Sequence, residues 1–145
     1  MAHPRSKKAR AGRELALRAL YAGDLSGDPP ASLVQTGAEA LGDHAALPPG
    51  AAEAALERLS SLVTRREEVD AAVQAASPRW KLGRMAAIDR NILRLGALEL
   101  LEGQTPPKDV IYDCVELAKQ YGDKDTYKFV NGLLDQICRD QGIAL

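Results

Sequence analysis

The chain has 145 residues, of which 46% are apolar and 27% are charged. This balance excludes an intrinsically disordered chain, and the length suits one compact domain better than a multidomain enzyme. Aromatic residues make up only 4% of the chain, whereas Ala, Leu, Arg and Glu recur throughout. That composition favours helices packed through Leu and Ala over sheets, and it predicts an all-α fold.

The charge is unevenly distributed along the sequence. The net charge is −1, but residues 1–22 carry six basic residues and one acidic residue, a net +5 that leaves −6 for residues 23–145. A basic arm on an acidic body is typical of a protein that binds a polyanion, most commonly a nucleic acid. A solvated terminus that only keeps the protein soluble explains the same charge equally well.

The sequence shows neither a secretion signal nor an apolar stretch of membrane-spanning length, so we expect a cytoplasmic protein with no membrane contact. Cys114 and Cys138 form no CxxC pair, and we expect both to be reduced and mostly buried. His3 and His44 are the only histidines, and each lies in a terminal or loop segment. No catalytic residue, cofactor or metal site is therefore predicted.

Proline and glycine residues divide the chain into segments whose apolar residues have helical spacing. The predicted helices, in chain order, cover residues 6–22, 31–41, 51–76, 85–102, 107–121 and 125–140. The helix 51–76 is predicted to be long and continuous, and the helix 85–102 to be central because apolar residues occupy most of its sides.

Three residues are predicted to shape the last two helices. Gly122 is expected to terminate the helix 107–121, and Asp125 or Thr126 to provide the N-cap of the helix 125–140. Gly132 is interpreted as a helical residue that lets a neighbouring element approach closely.

Two stretches are more specific than generic helical sequence. They are RAGRELALRALY at residues 10–21 and PPKDVIYDCVELAKQYGDKDTYKFVNGLLDQI at residues 106–137, with IDRNILRLGALELL at 88–101 before the second. Together they resemble the NusB family of bacterial transcription antitermination factors. The most specific matching features are the Arg13 to Ala16 run followed by Ala19-Leu20-Tyr21, and the KFVNG run at 128–132.

The resemblance implies an all-α bundle of about six to seven helices in two lobes, near residues 1–77 and 78–145, and no enzymatic activity. It further implies a protein that binds the boxA element of nascent RNA together with NusE, a small-ribosomal-subunit protein. That complex would modify RNA polymerase so that it reads through terminators, notably in ribosomal RNA operons. Gly12 stands where Ala is usual in the family, so the first turn of the helix is expected to order only on RNA.

The predicted RNA-binding residues fall at both ends of the chain. They are Lys7, Lys8, Arg10, Arg13, Tyr21, Asp125, Lys128 and Phe129. Arg10 and Arg13 have the i,i+3 spacing that lets a guanidinium pair face one phosphate run, and a solvated pair with Glu14 is the alternative. Phe129 is expected to stack an unpaired base, and a place in the core is its alternative.

Asp89 and Arg90 are predicted to contact NusE, because they interrupt an otherwise apolar run. An ordinary acidic residue in a first helical turn explains Asp89 equally well. For the whole chain, two other functions stay open: an RNA-targeting domain associated with a ribosomal RNA methyltransferase, and a purely protein-binding helical scaffold. The oligomeric state is open as well, and a homodimer is among the states that the sequence allows.

Overall fold

The computed structural model describes residues 6–42 and 47–145. These residues form seven α-helices and two short 3-10 helices, and they contain no strand. The helices are α1 (Lys7–Ser26), α2 (Val34–Gly42), α3 (Ala51–Thr64), α4 (Arg66–Ala76), α5 (Ala87–Glu102), α6 (Pro107–Tyr121) and α7 (Thr126–Asp140). The predicted all-α fold is confirmed. Among the described residues, no helix combines the length and the apolar character needed to cross a membrane.

The chain divides into two compact units, residues 1–64 and 65–145. In the first unit α1 packs mainly against α3, and the short helix Pro30–Leu33 and α2 lie beside α1. In the second unit α5 contacts α4, α6 and α7, and its residues Asn91 to Leu100 are all buried. The expectation that this helix is central therefore holds within its unit.

The predicted continuous helix 51–76 is wrong, because the chain leaves helical geometry at Arg65 (φ −106°, ψ 18°). The Arg65 guanidinium bonds both carboxylate oxygens of Glu68, at 3.1 and 2.6 Å, in the first turn of α4. Neither Pro nor Gly marks this break. The division between the units accordingly falls after residue 64 rather than near residue 77, since α4 packs with α5 and α7.

Gly12 lies inside α1, which is helical from Lys7 onward and is capped by the Ser6 hydroxyl, an acceptor for the Ala9 amide at 3.1 Å. The first turn of α1 is therefore helical in this structure, and its ordering only on RNA stays a prediction. A Cβ atom added to Gly12 would lie 2.7 Å from the Cβ of Ala54 and 3.2 Å from backbone atoms of α3. Gly12 thus permits the close approach of α1 and α3 that packs the first unit.

The predictions for Gly132 and Gly122 are each confirmed in part. Gly132 is helical, as expected, but no atom of another element among the described residues lies within 4 Å of a Cβ built on it, so no neighbouring element approaches closely there. Gly122 ends α6 with an extended backbone (φ −89°, ψ −176°) rather than the left-handed geometry of a glycine C-cap. Glycine is required at this position because a Cβ atom there would overlap the side chain of Thr126.

Candidate nucleic-acid interface

The exposed side of α1 carries basic and aromatic residues. Lys7, Arg10 and Tyr21 are exposed, and at 100° per residue their positions fall within about 60° of one another around the helix. Arg10 and Tyr21 are eleven residues apart, which corresponds to about 16 Å along the axis. The helix therefore presents a stripe that starts with two cations and ends with a ring that is 38% exposed. We call Lys7, Arg10 and Tyr21 the α1 stripe.

The predicted pairing of Arg10 with Arg13 on one surface is wrong. Arg13 is only 3% exposed, whereas Arg10 is exposed. Arg13 shares its side of α1 with Ala16, Leu17 and Leu20, which are all buried. In this conformation Arg13 is withdrawn from solvent, and its contact with RNA stays a prediction.

Lys8 is half-buried and packs its aliphatic chain across Gly50, where an added Cβ would lie 2.7 Å from the Lys8 Cδ. Gly50 has a φ of +86°, a left-handed geometry that favours glycine and brings the backbone under this side chain. The Lys8 stem thus anchors the beginning of α1 to the segment before α3.

The prediction of Asp125 as the N-cap of α7 is confirmed in position, but the capping side chain is that of Asp123. Asp125 occupies the N-cap position, but its side chain makes no capping hydrogen bond. The Asp123 Oδ1 instead accepts from the backbone amides of Asp125 and Thr126, at 3.0 and 3.2 Å. The amide of Asp125 above all, then the Thr126 hydroxyl, holds the pKa of Asp123 below its ordinary value. Asp125 itself is exposed beside this turn, with its carboxylate uninvolved in the cap.

Lys128 and Phe129 lie in the first turn of α7. Lys128 is exposed, and its ammonium group is 5.9 Å from the centroid of the Tyr127 ring. Phe129 is half-buried, so it matches neither a fully buried core ring nor a freely exposed one. Its ring meets that of Trp80 edge to face, with centroids 6.4 Å apart and planes at 83°.

Asp89 and Arg90 begin α5 and are both half-buried. The Asp89 Oδ1 lies 3.3 Å from the Thr126 hydroxyl, and an Arg90 Nη1 donates to the Met85 carbonyl at 3.2 Å. Burial raises the pKa of Asp89; the Thr126 hydrogen bond opposes this rise, and the charge of Asp123 adds to it.

The structure thus brings together only part of the predicted site. The contact with Thr126 places Asp89, predicted for a protein partner, beside the start of α7, where Asp125, Lys128 and Phe129 were predicted to bind RNA. The α1 stripe belongs to the first unit, and these residues belong to the second.

Two residues of this region were missed from the sequence, Trp80 and Asp123. Trp80 is the only tryptophan of the chain and stands between Arg79 and Lys81, a basic and aromatic combination that is typical of nucleic-acid contacts. Asp123 could have been found from its position three residues before Thr126, which suits an acidic residue that accepts from helix-terminal amides.

Neither Cys114 nor Cys138 is in a disulfide bond, and both are buried, as predicted. Burial raises the pKa of the Cys138 thiol, and the nearby Asp135 carboxylate adds to this effect. In the described part of the chain, no three His, Cys, Asp or Glu side chains are grouped as metal ligands would be.

The chain is similar to known proteins over most of its length. The model of the NusB family matches residues 10–139. A transcription antitermination protein NusB from Sorangium cellulosum is 43% identical over 133 residues, covering 90% of this chain and 91% of its own length.

Solved structures agree with this match. T. maritima NusB superposes with a TM-score of 0.79 at 27% identity, covering 97% of this chain and 94% of its own. A chain from a crystal structure of the antitermination factors NusB and NusE in complex with dsRNA superposes with a TM-score of 0.78 at 30% identity, covering 92% and 97%. The chain belongs to the NusB family.

Proposed function

We propose that this protein is a bacterial transcription antitermination factor that binds boxA RNA together with NusE and promotes read-through by RNA polymerase, notably in ribosomal RNA operons. The observation that carries the proposal is the α1 stripe, an exposed run of two cations and a ring on a helix whose sequence matches the family. The names of the relatives support it, since they are transcription antitermination proteins. The solved complex of a family member with NusE and dsRNA supports the same partners.

Lys7 and Arg10 supply the phosphate contacts in this proposal. Both are exposed cations on one side of α1, so together they can follow a sugar–phosphate backbone. Lys8 adds its charge from the same turn while its stem packs on Gly50. Arg13, being buried, acts by holding α1 in place rather than by touching a phosphate.

Base contacts come from Tyr21 and from the start of α7. An unpaired base offers a flat face to an aromatic ring and a hydrogen-bonding edge to polar groups. Tyr21 and Phe129 have partly exposed rings that suit stacking on the face of a base. The carboxylate of Asp125 makes no capping hydrogen bond, so it suits a hydrogen bond to the edge of a base. Lys128 offsets the negative charge that Asp123 and Asp125 place beside the RNA.

NusE is assigned to the surface around Asp89 and Arg90. Their contacts with Thr126 and Met85 fix both side chains, so little conformational entropy is lost when a partner binds them. We assign the protein a regulatory role without catalysis, in the bacterial cytoplasm where nascent RNA is made.

Titration of fluorescently labelled boxA RNA tests this function directly. The protein is expected to bind boxA more tightly than a scrambled RNA of equal length, and NusE is expected to tighten binding further. Light scattering on the same samples measures whether one or two copies bind each RNA. Equal affinity for boxA and scrambled RNA, with and without NusE, would contradict the proposal.

A further inference from the structure

The segment 77–86, between α4 and α5, displays an aromatic side chain that the fold does not need for its core. Trp80 is 61% exposed, although it is the largest apolar side chain of the protein. Tryptophan is usually highly buried, so an indole held largely in solvent indicates a contact with something outside the fold.

Hydrogen bonds hold the backbone at Trp80. The Trp80 carbonyl accepts from the Gln74 side-chain amide and from the Ser77 hydroxyl, each at 2.9 Å. The Gln74 side-chain oxygen accepts from the backbone amide of Leu82, also at 2.9 Å. Gln74, on α4, therefore holds the backbone of the segment at Trp80 and at Leu82. A ring presented in this way is preorganised for a partner, because little further ordering is required on binding.

The Trp80 ring contacts the ring of Phe129, which the proposed function assigns to RNA. Trp80 and Phe129 stand at 83° to each other with centroids 6.4 Å apart, so one ring edge closes against the other ring face. Two perpendicular rings leave separate surfaces for two bases rather than one shared slot. Consecutive nucleotides of an unpaired strand could therefore occupy Phe129 and Trp80 in turn.

The surroundings of Trp80 have the charge of a polyanion site. Arg79, Lys81 and Arg84 are all exposed, and no ion pair joins them to other residues that the structure describes. The chain has no acidic residue between Asp70 and Asp89. Cations at this density beside an exposed ring favour a nucleic acid over an apolar protein surface.

We propose that the segment 77–86 is a second RNA-contacting element, in which Trp80 stacks on an unpaired base next to the one on Phe129 while Arg79, Lys81 and Arg84 contact the adjoining phosphates. This inference rests on the proposed function, because it assumes that the ligand of Phe129 is single-stranded RNA. It extends the RNA-contacting residues of the second unit from the start of α7 to the connection between α4 and α5.

Tryptophan fluorescence provides the first test, because Trp80 is the only tryptophan. Stacking of a base on the indole is expected to quench its emission as boxA RNA is added. The quenching should saturate at the same RNA concentration as the anisotropy of the labelled RNA. Binding of the RNA without any change in Trp80 emission would overturn the inference.

Substitution provides the second test. Trp80→Leu is expected to weaken boxA binding about tenfold, the loss of one stacked base, with the salt dependence unchanged. Trp80→Phe keeps a ring and should lose less. Arg79→Ala with Lys81→Ala should instead flatten the salt dependence. Tyr112→Leu, at an exposed ring on α6, is the matched control and should leave affinity unchanged. Melting temperatures confirm that each variant is folded.

The outcomes separate this inference from the function on which it rests. If the wild-type protein binds no boxA RNA, the proposed function and the inference both fail. If the wild type binds and Trp80→Leu binds equally well, only the inference fails. Loss of NusE affinity with normal RNA affinity in Trp80→Leu would identify the segment as a protein-binding surface and would also overturn it.

Discussion

Arg94 on α5 donates hydrogen bonds to both carboxylate oxygens of Asp70 on α4, from Nε at 2.8 Å and from Nη2 at 3.2 Å. The Arg94 side chain is 9% exposed and that of Asp70 is 26% exposed. A second cation, Arg66, reaches the same carboxylate at 3.0 Å from the solvent side. The Arg94–Asp70 pair links α5 to α4 through two parallel hydrogen bonds from a planar guanidinium, which a lysine could not form.

Arg94→Ala is expected to lower the free energy of unfolding by about 2 kcal/mol, because it leaves Asp70 partly buried without its main partner. Arg66→Ala is the matched control. Arg66 is 43% exposed, so its loss should cost no more than about 0.5 kcal/mol. Urea denaturation of both variants measures the difference. Equal effects would show that burial of the Arg94–Asp70 pair does not set its contribution.

Two glycine substitutions should change stability in opposite directions. Gly12→Ala should destabilise the protein by about 1–2 kcal/mol, because the new methyl group would press on Ala54 and on the backbone of α3. Gly132→Ala should stabilise it by about 0.5–1 kcal/mol, since the methyl group meets no other described element within 4 Å and alanine favours the helix. Thermal unfolding of the two variants compares them. A stabilising Gly12→Ala would contradict the close contact of α1 and α3.

Helix boundaries could be predicted from sequence where proline and glycine mark them. The helix predicted at 107–121 is observed as Pro107–Tyr121, because Pro106 precedes it, Pro107 occupies its first position and Gly122 follows it. The break at Arg65 has no such mark, since the apolar spacing continues from Leu62 to Val69 across it. Only tertiary packing, which assigns α4 to the second unit, determines that the helix stops there.

Removal of the Asp123 cap should have a pH-dependent effect. Asp123→Ala is expected to lower the melting temperature at pH 7, because two backbone amides lose their acceptor. The pKa of Asp123 lies below its ordinary value of 3.8 in the folded protein, so its charged form is the one that stabilises the fold. That contribution is complete from about pH 5 upward and is lost as the pH falls through 3.8 and then through the lowered pKa.

The difference in melting temperature between the wild type and Asp123→Ala should therefore be constant from pH 5 to 7 and shrink at lower pH. Asp123→Asn keeps an acceptor oxygen without the charge, so its melting temperature should lie between those of the other two at pH 7. A difference that persists undiminished at pH 2 would show that the carboxylate charge is not involved.

The candidate site was only partly predictable from the sequence. The family resemblance identified Lys128 and Phe129 from the sequence. The placement of Trp80 depends on the hydrogen bonds of its segment to Gln74, and the spacing of apolar residues does not predict those bonds. Arg13 is a different case, because Ala16, Leu17 and Leu20 follow it at i+3, i+4 and i+7. That spacing places Arg13 on the buried side of α1, and the interpretation of Arg10 and Arg13 as a surface pair overlooked it.

The salt dependence of boxA affinity tests the proposal that α1 binds RNA phosphates through Lys7 and Arg10. Each phosphate neutralised on a single strand contributes about −0.7 to the slope of log affinity against log salt. Lys7→Ala with Arg10→Ala should flatten that slope by about 1.4 and lower affinity, with discrimination between boxA and scrambled RNA retained. Lys108→Ala, which removes an exposed cation from α6, should leave the slope unchanged. A wild-type slope in the double variant would show that Lys7 and Arg10 do not contact RNA phosphates.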